Sequence, residues 1–376
     1  ITDATHAEPL SAQIRRLGEA GFPLVQFRGK PLEAQDQWAE LRKSLEESRA
    51  NGGWPLLCVN DRADLAGLAA REGLVPWGLH LGQGDLPAAE AKRLPGLAGV
   101  HLGTSTHEPG EWGGADPACD HAGIGPFRST ATKSDHAAPV GLDGLRAGCT
   151  ALRDQGIAPI AIGGLTLADA ADCFEAGAES LAMVGELHRT SDPAALGWEA
   201  QRLRWRARPP FRRGQGLVLL GGSGAGKSTL GRLLAEDLDL PFRDLDDLIE
   251  ADQGCPVGAI FATQGEAAFR ALESALLPAL LASPAVVALG GGAWEAPANR
   301  QAVAEAGFAP LWLAESPARA WERVGRDPRR PLAQDRGAFL ARCAARTAAW
   351  SLAPMVLPFG HSSRELVSAL SGSVSN

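Results

Sequence analysis

No two of the six cysteines, Cys58, Cys119, Cys149, Cys173, Cys255 and Cys343, stand as a C-x-x-C pair or at metal-ligand spacing. A disulfide framework and a thiolate metal centre are thereby excluded, and the reading is a reduced, cytoplasmic chain with buried thiols. Excess positive charge is also missing: 36 Lys and Arg face 44 Asp and Glu, for a net charge of -8. That argues against nucleic acid or an anionic membrane as a partner, so any negative ligand must be met by local cations. No charged-then-apolar leader is present, and the start at Ile1 without Met reads as a trimmed natural start. The longest apolar stretch, Ala275 to Ala293, is broken by Pro278 and Pro284 and carries three glycines near its end. It reads as a helix end followed by a buried strand, not as a membrane span. There is no short solenoid repeat, and there is no tyrosine.

What is present suits two domains. The 376 residues exceed one ordinary domain, and 45% hydrophobic residues suffice for two cores. Residues 201–214 read QRLRWRARPPFRRG, with six arginines, adjacent prolines and no sustained apolar period. We take 201–215 as an Arg/Pro-rich linker between a domain over 1–200 and another over 216–376.

In the first part, eight short apolar runs (ITD at 1, PLVQFRG at 23, PLLCVND at 55, GLHLG at 78, GVHLGTS at 99, HAGIGPF at 121, PIAIGG at 159 and SLAMVG at 180) alternate with amphipathic segments such as Ala34 to Arg49 and Leu167 to Ala176. Eight strands with intervening helices imply an α/β fold, a (β/α)8 TIM barrel, with a doubly wound open sheet as the alternative. Polar residues gather where the strands end: Gln26, Arg28 and Lys30; Asn60 and Asp61; Gln83 and Asp85; Ser105; Thr130, Thr132 and Lys133; Gly163 and Gly164. Strand ends are polar wherever they enter loops, but a carboxylate pair and a basic cluster on one barrel face suggest magnesium and a phosphorylated ligand.

The second part opens with GLVLLGGSGAGKSTLGRLLAEDL: a buried strand, a glycine-rich turn, then a helix. Residues 221–228 (Gly221, Gly222, Ser223, Gly224, Ala225, Gly226, Lys227, Ser228) fit G-x-x-x-x-G-K-S, and Thr229 follows. Such a turn closes backbone N–H groups around phosphates at a helix N-terminus, with Lys227 reaching the terminal phosphates of ATP and Ser228 ligating Mg²⁺. The segment is thus a P-loop kinase domain with a parallel sheet. Further on, FRDLDDLIE places Asp244 and Asp246 two apart at a strand end, on one face if the strand persists; DLDDLIE equally reads as a helix start with an N-cap.

FRDLDDLIE, IFATQGEAAFRALE, LGGGAW, RRPL and RTAAW follow one another as in the shikimate kinase family, which this part of the chain resembles. The resemblance implies phosphorylation of shikimate to shikimate 3-phosphate. It places Asp244 near the magnesium and Asp246 on the shikimate hydroxyl as proton acceptor, and it sets Arg270 and Arg346 on the shikimate carboxylate. Gly290, Gly291 and Gly292 then lie against the ring, Arg330 on the phosphates and Arg323 by the adenine. An Arg fork matches a carboxylate with two parallel hydrogen bonds, in keeping with that assignment. Trp350 stands where the family has tyrosine, from which we expect altered packing without loss of function. The P-loop alone also admits another acceptor, such as gluconate or a different small hydroxy acid.

The first part resembles thiamine phosphate synthase through VQFRGK, VNDRADLA, GLHLGQGDLP, GTSTH, STATK and PIAIGGL. The implied reaction joins hydroxymethylpyrimidine diphosphate to thiazole phosphate, releasing diphosphate. By that resemblance Asp61 and Asp85 hold magnesium on the diphosphate, with Arg28, Lys30, Asn60 and Lys133 on its oxygens. Gln26 and Ser105 line the pyrimidine pocket, and Thr130, Thr132 and Gly164 receive the thiazole phosphate. Related thiazole tautomerases share the barrel but commonly lack the two aspartates. Gly185 departs from the family's small hydroxyl residue, and His107 fits either group. The expectation is a bifunctional enzyme; the alternative is an active kinase carrying a tautomerase-like or non-catalytic, precursor-binding barrel.

Overall fold

Runs of Leu, Val and Ile bounded by Gly, Pro and Asp become strands where expected, and the helical patterns between them force parallel pairing. The computed structural model describes residues 1–129, 138–326, 333–358 and 361–372. In the first half, β1 (Leu24–Phe27), β2 (Leu56–Asn60), β3 (Gly78–Leu81), β4 (His101–Thr106), β5 (His121–Ile124), β6 (Ala158–Ile162) and β7 (Ser180–Ala182) form one seven-stranded sheet in chain order. Every pairing in it is parallel.

The eighth expected strand, ITD at the start, is not a strand. Its residues are nonetheless spent on closure: the Ile1 amino group donates to the Met183 carbonyl just beyond β7 at 3.2 Å, and Thr2 N–H donates to Gln26 O on β1 at 2.9 Å. Single bonds to two neighbours fall short of a ladder but occupy the gap a strand would fill. Leu17, Phe27, Leu57, Leu79, Leu102, Ile124 and Leu152 are fully buried in this half.

In the second half, β8 (Leu217–Leu220), β9 (Phe242–Asp244), β10 (Val286–Ala288), β11 (Ala309–Ala314) and β12 (Met355–Pro358) form a second parallel sheet, ordered β12-β11-β8-β10-β9. Strand β8 is central and buried along its length, so the turn that follows it opens at the carboxyl edge of the sheet, where ligands bind in such folds.

The expected linker is corrected in part. Residues 201–207 continue a helix, Pro193–Ala207, which is capped by the Asp192 side chain and buries Trp205. Trp198 and Trp205 pack edge-to-face at 5.8 Å, a seven-residue helical spacing hidden among the arginines. The two compact units are 1–48 with 55–208, and 49–54 with 209–376. Among the described residues, no helix is long and apolar enough to cross a membrane. The six cysteines are free, and five of them are buried.

Candidate active sites

In the second unit the turn after β8 runs directly into the helix Lys227–Leu238. Gly221 (φ 136°) and Gly224 (φ 83°) adopt left-handed backbone, and a Cβ on either would lie 2.8 Å from Leu313 O or 2.5 Å from Ala320 O. The Lys227 ammonium donates to Gly221 O and Gly222 O at 2.9 and 3.0 Å, so its charge already hangs over the turn. Ser228 Oγ donates to Asp244 Oδ2 at 3.0 Å, which joins the P-loop hydroxyl to the carboxylate expected near magnesium.

Strand β9 stops at Asp244, so Asp244 and Asp246 do not share a strand face. Asp244 caps the helix Leu245–Gln253, accepting from Asp246 N–H at 3.1 Å, and Asp246 lies in the first helical turn. The helix-start reading therefore holds for this pair.

Arg270 and Arg346 converge. Arg270 Nη2 donates to Glu266 Oε1 at 2.7 Å and Arg346 Nη2 donates to that same oxygen at 3.2 Å. Arg346 also reaches Glu295 at 2.9 Å, and Arg270 reaches Glu273 Oε2 at 2.6 Å. The three glycines after β10 make room for this cluster. A Cβ on Gly292 would lie 2.3 Å from the Arg270 guanidinium carbon. One on Gly290 would lie 2.3 Å from Glu273 Oε1 and 3.0 Å from Asp246 Oδ1, and one on Gly291 3.6 Å from Arg346 Nη1. At Gly290 and Gly292 a side chain would run into that cluster, whereas at Gly291 it would stand at ordinary contact distance. A cavity of about 420 Å³ opens beside them, lined by Glu266, Arg270, Glu273, Gly292 and Glu295 among others.

Sequence reasoning missed Glu273. It is fully buried, its Oε1 has no hydrogen-bond partner, and burial pushes its carboxyl up to about 7 against the pull of Arg270. Arg270 and Glu273 are three apart on one helix, a spacing that could have revealed the pair. Trp350 is buried and donates its indole N–H to Gly291 O at 3.0 Å. Arg323 donates to Gly224 O at 3.1 Å and pairs with Glu315 at 2.6 Å, beside the P-loop. Arg330 lies outside the described residues.

In the first unit the candidate residues sit at the carboxyl ends of successive strands. Gln26 Nε2 donates to Asn60 Oδ1 at 2.8 Å across β1 and β2. Asp61, left-handed at φ 63°, pairs with Lys30. Asp85 accepts from Gly82 N–H at 2.7 Å, and burial together with the Asp61 charge raises its carboxyl above the usual range. A Cβ on Gly82 would lie 3.0 Å from Asp85 Oδ2 and 4.0 Å from Asp61 Oδ1, so both carboxylates overhang one small residue.

Arg28 follows the end of β1, its backbone N–H donating to Thr2 Oγ1 at 2.8 Å. Ser105 lies on β4, and its carbonyl accepts from Gln83 Nε2 at 2.5 Å. Gly164 (φ 69°) follows β6, with Arg128 O 3.0 Å from where its Cβ would stand. Thr130, Thr132 and Lys133 lie outside the described residues. His107 has its ring 3.1 Å from Glu111.

Both sites offer oxygen donors of the kind magnesium takes. Among the described residues no three His, Cys, Asp or Glu groups cluster as a cage. One or two carboxylates completed by substrate phosphates and water is the usual arrangement for that ion.

The family model described as Shikimate kinase matches residues 223–353, and that described as Thiamine monophosphate synthase matches residues 1–187. A thiamine-phosphate synthase of Chloroflexus aurantiacus is 38% identical over 185 residues, covering 49% of this chain and 80% of the relative. A shikimate kinase of Moorella thermoacetica is 44% identical over 121 residues, covering 32% of this chain and 69% of the relative. Among solved structures, the shikimate kinase from Acinetobacter baumannii in complex with shikimate is 31% identical, covering 41% of this chain and 89% of that one, with a TM-score of 0.39. The chain thus belongs to two families at once, the thiamine-phosphate synthases through its first half and the shikimate kinases through its second, and is a bifunctional protein.

Proposed function

We propose that the second unit seats the carboxylate of shikimate between Arg270 and Arg346 and moves the terminal phosphoryl group of ATP onto a shikimate hydroxyl. The observation carrying this reading is the shared oxygen: two guanidinium groups 76 positions apart meet on one carboxylate oxygen of Glu266. Glu266 supplies a carboxylate to the pair, and a substrate carboxylate would compete for the same place. Asp246, across Gly290 from Glu273, takes the hydroxyl proton as its oxygen bonds to phosphorus, and ADP leaves. Lys227 balances charge on the phosphates, with Arg330 assigned to the same task by the family pattern; such positioning and charge stabilisation dominate phosphoryl transfer. Magnesium, held beside Ser228 and Asp244, would neutralise phosphate charge. Steady-state ATP consumption with shikimate, gluconate and other hydroxy acids tests the assignment. Shikimate should give the highest kcat/KM, and a better rate with another acceptor would displace it.

For the first unit we propose that Asp61, Asp85, Lys30, Arg28 and Asn60 receive the diphosphate end of the pyrimidine precursor, while Gln26 and Ser105 face its ring. Lys133 joins Arg28 and Lys30 on the diphosphate oxygens; thiazole nitrogen attacks the pyrimidine methylene as diphosphate departs, and Gly164, with Thr130 and Thr132, receives the thiazole phosphate. Magnesium on the two aspartates would stabilise the leaving charge. The two carboxylates converging over Gly82 support this reading. Incubating the chain with both precursors and magnesium should yield thiamine phosphate and diphosphate in equal amounts. No product would leave a binding-only barrel.

A further inference from the structure

Barrel interiors are normally filled by layers of apolar side chains. Here two imidazoles stand side by side in that layer. His80 on β3 pairs in register with Gly103 on β4, and Gly103 pairs with His121 on β5, so the three are level across adjacent parallel strands. Level residues of parallel strands face the same side, as does Ser105 two positions beyond Gly103.

His80 is only 7% exposed, and both its ring nitrogens are engaged. Nε2 lies 3.0 Å from Ser105 Oγ, and Nδ1 lies 3.3 Å from His121 Nε2. The two rings stack with centroids 5.4 Å apart. This is possible because residue 103 has no side chain: a Cβ there would fall 2.0 Å from His121 Nε2. Ser105 is paired with Gly123, where a Cβ would stand 3.6 Å from His80 Cε1. Gly103 therefore clears the path of one continuous polar file from the strand ends inward, with Gly123 at ordinary contact distance beside it.

We propose that Ser105, His80 and His121 form a hydrogen-bonded file that fixes the direction of the Ser105 hydroxyl, with His80 and His121 as positioning residues for pyrimidine transfer. A neutral imidazole has one donor and one acceptor nitrogen, so the order at one end sets the order at the other. His80 Nδ1–H donates to His121 Nε2, and His80 Nε2 accepts the Ser105 proton. Ser105 then turns its lone pairs to the pocket, where they face the pyrimidine ring as it gains positive charge with diphosphate leaving. The functional half of this inference rests on the synthase reading above; the file itself does not.

The test uses the full chain with both thiamine precursors and magnesium. His121→Phe keeps an aromatic ring but removes the acceptor. It should lower kcat about tenfold with KM for each precursor within about twofold, the scale of one buried hydrogen bond. In a Ser105→Ala background the same change should alter kcat by less than about twofold, because the file has no end to orient. His121→Gln, which retains an acceptor, should restore most of the loss. Equal losses in both backgrounds, or no loss from His121→Phe, would overturn the proposal. Nitrogen-15 spectra of histidine-labelled protein give a readout without turnover: His80 should carry its proton on Nδ1, and its bare Nε2 should shift on Ser105→Ala. A proton on Nε2 would defeat the file and leave the synthase reading intact. The expected spectra without any thiamine phosphate from the wild-type chain would defeat that reading instead.

Discussion

The two units assemble their sites in opposite ways. In the kinase unit the phosphate-binding part is one contiguous run, 221–228, whose geometry follows from a strand, a turn and a helix in immediate succession. In the barrel unit, Gln26, Asn60, Asp85, Ser105 and Gly164 each come from a different strand or the loop after it, and only closure of the sheet gathers them. Their internal bonding differs too. The kinase cations rest on groups of their own chain, Lys227 on loop carbonyls and the two arginines on Glu266. The barrel carboxylates are instead held near one another with Lys30 as counter-ion, so an arriving cation finds donors already convergent. A contiguous motif tolerates change elsewhere in the fold, whereas a dispersed site depends on every strand.

Substitutions that silence one unit while sparing the other sharpen that comparison. Lys227→Met should have the largest effect, lowering the kcat for shikimate phosphorylation about a thousandfold by removing the cation from the transferring group. Thiamine phosphate formation, measured on the same sample, should be unchanged. Asp85→Ala should do the reverse, cutting thiamine phosphate formation about a hundredfold with the shikimate kinase rate intact.

Glu273 provides a test through stability. Its folded carboxyl titrates near 7 against an ordinary 4.5. Below both values the folded and unfolded chains are equally protonated. Between them only the folded state keeps the proton, so stability falls as pH rises from 4.5 to 7, by at most about 3 kcal/mol. Urea unfolding across that range should show the decline in the wild type and a flatter profile in Glu273→Gln. The smallest effect belongs to Glu266→Gln. Removing the carboxylate that occupies the arginine pair should lower the KM for shikimate about threefold, since Glu266 itself is exposed and water screens its pairing with the half-buried arginines to about 1 kcal/mol or less.

Much of the kinase site was legible because its residues fall in motifs whose spacing fixes their local geometry. The P-loop and the Asp244 cap need only neighbours in sequence, and the order of LGGGAW, GEAAFR and RTAAW carried the rest through family resemblance. Glu273 stayed hidden because a buried carboxyl in a helix reads as an ordinary surface acid until the partner strand is in place. In the barrel, seven strands were readable from apolar runs and turn residues. The eighth, read at ITD, does not form, because ITD satisfies its neighbours by single hydrogen bonds without making a ladder. The helix through Ala207 was obscured by its arginines, among which Trp198 and Trp205 supply the apolar contact seven residues apart.

By itself the sequence determined the two-part organisation, the strand-helix alternation, the P-loop and the identity of the charged groups available to each site. These depend on spacing along the chain, which short-range sterics and periodicity convert directly into local structure. Only tertiary structure decided that Arg270 and Arg346 meet on one oxygen, that Gly290 and Gly292 leave room for Glu273 and Arg270, and that Gly103 admits His121 to the ring of His80. Those facts depend on which residues lie level across strands or helices distant in sequence, and such register is set by packing of the whole core.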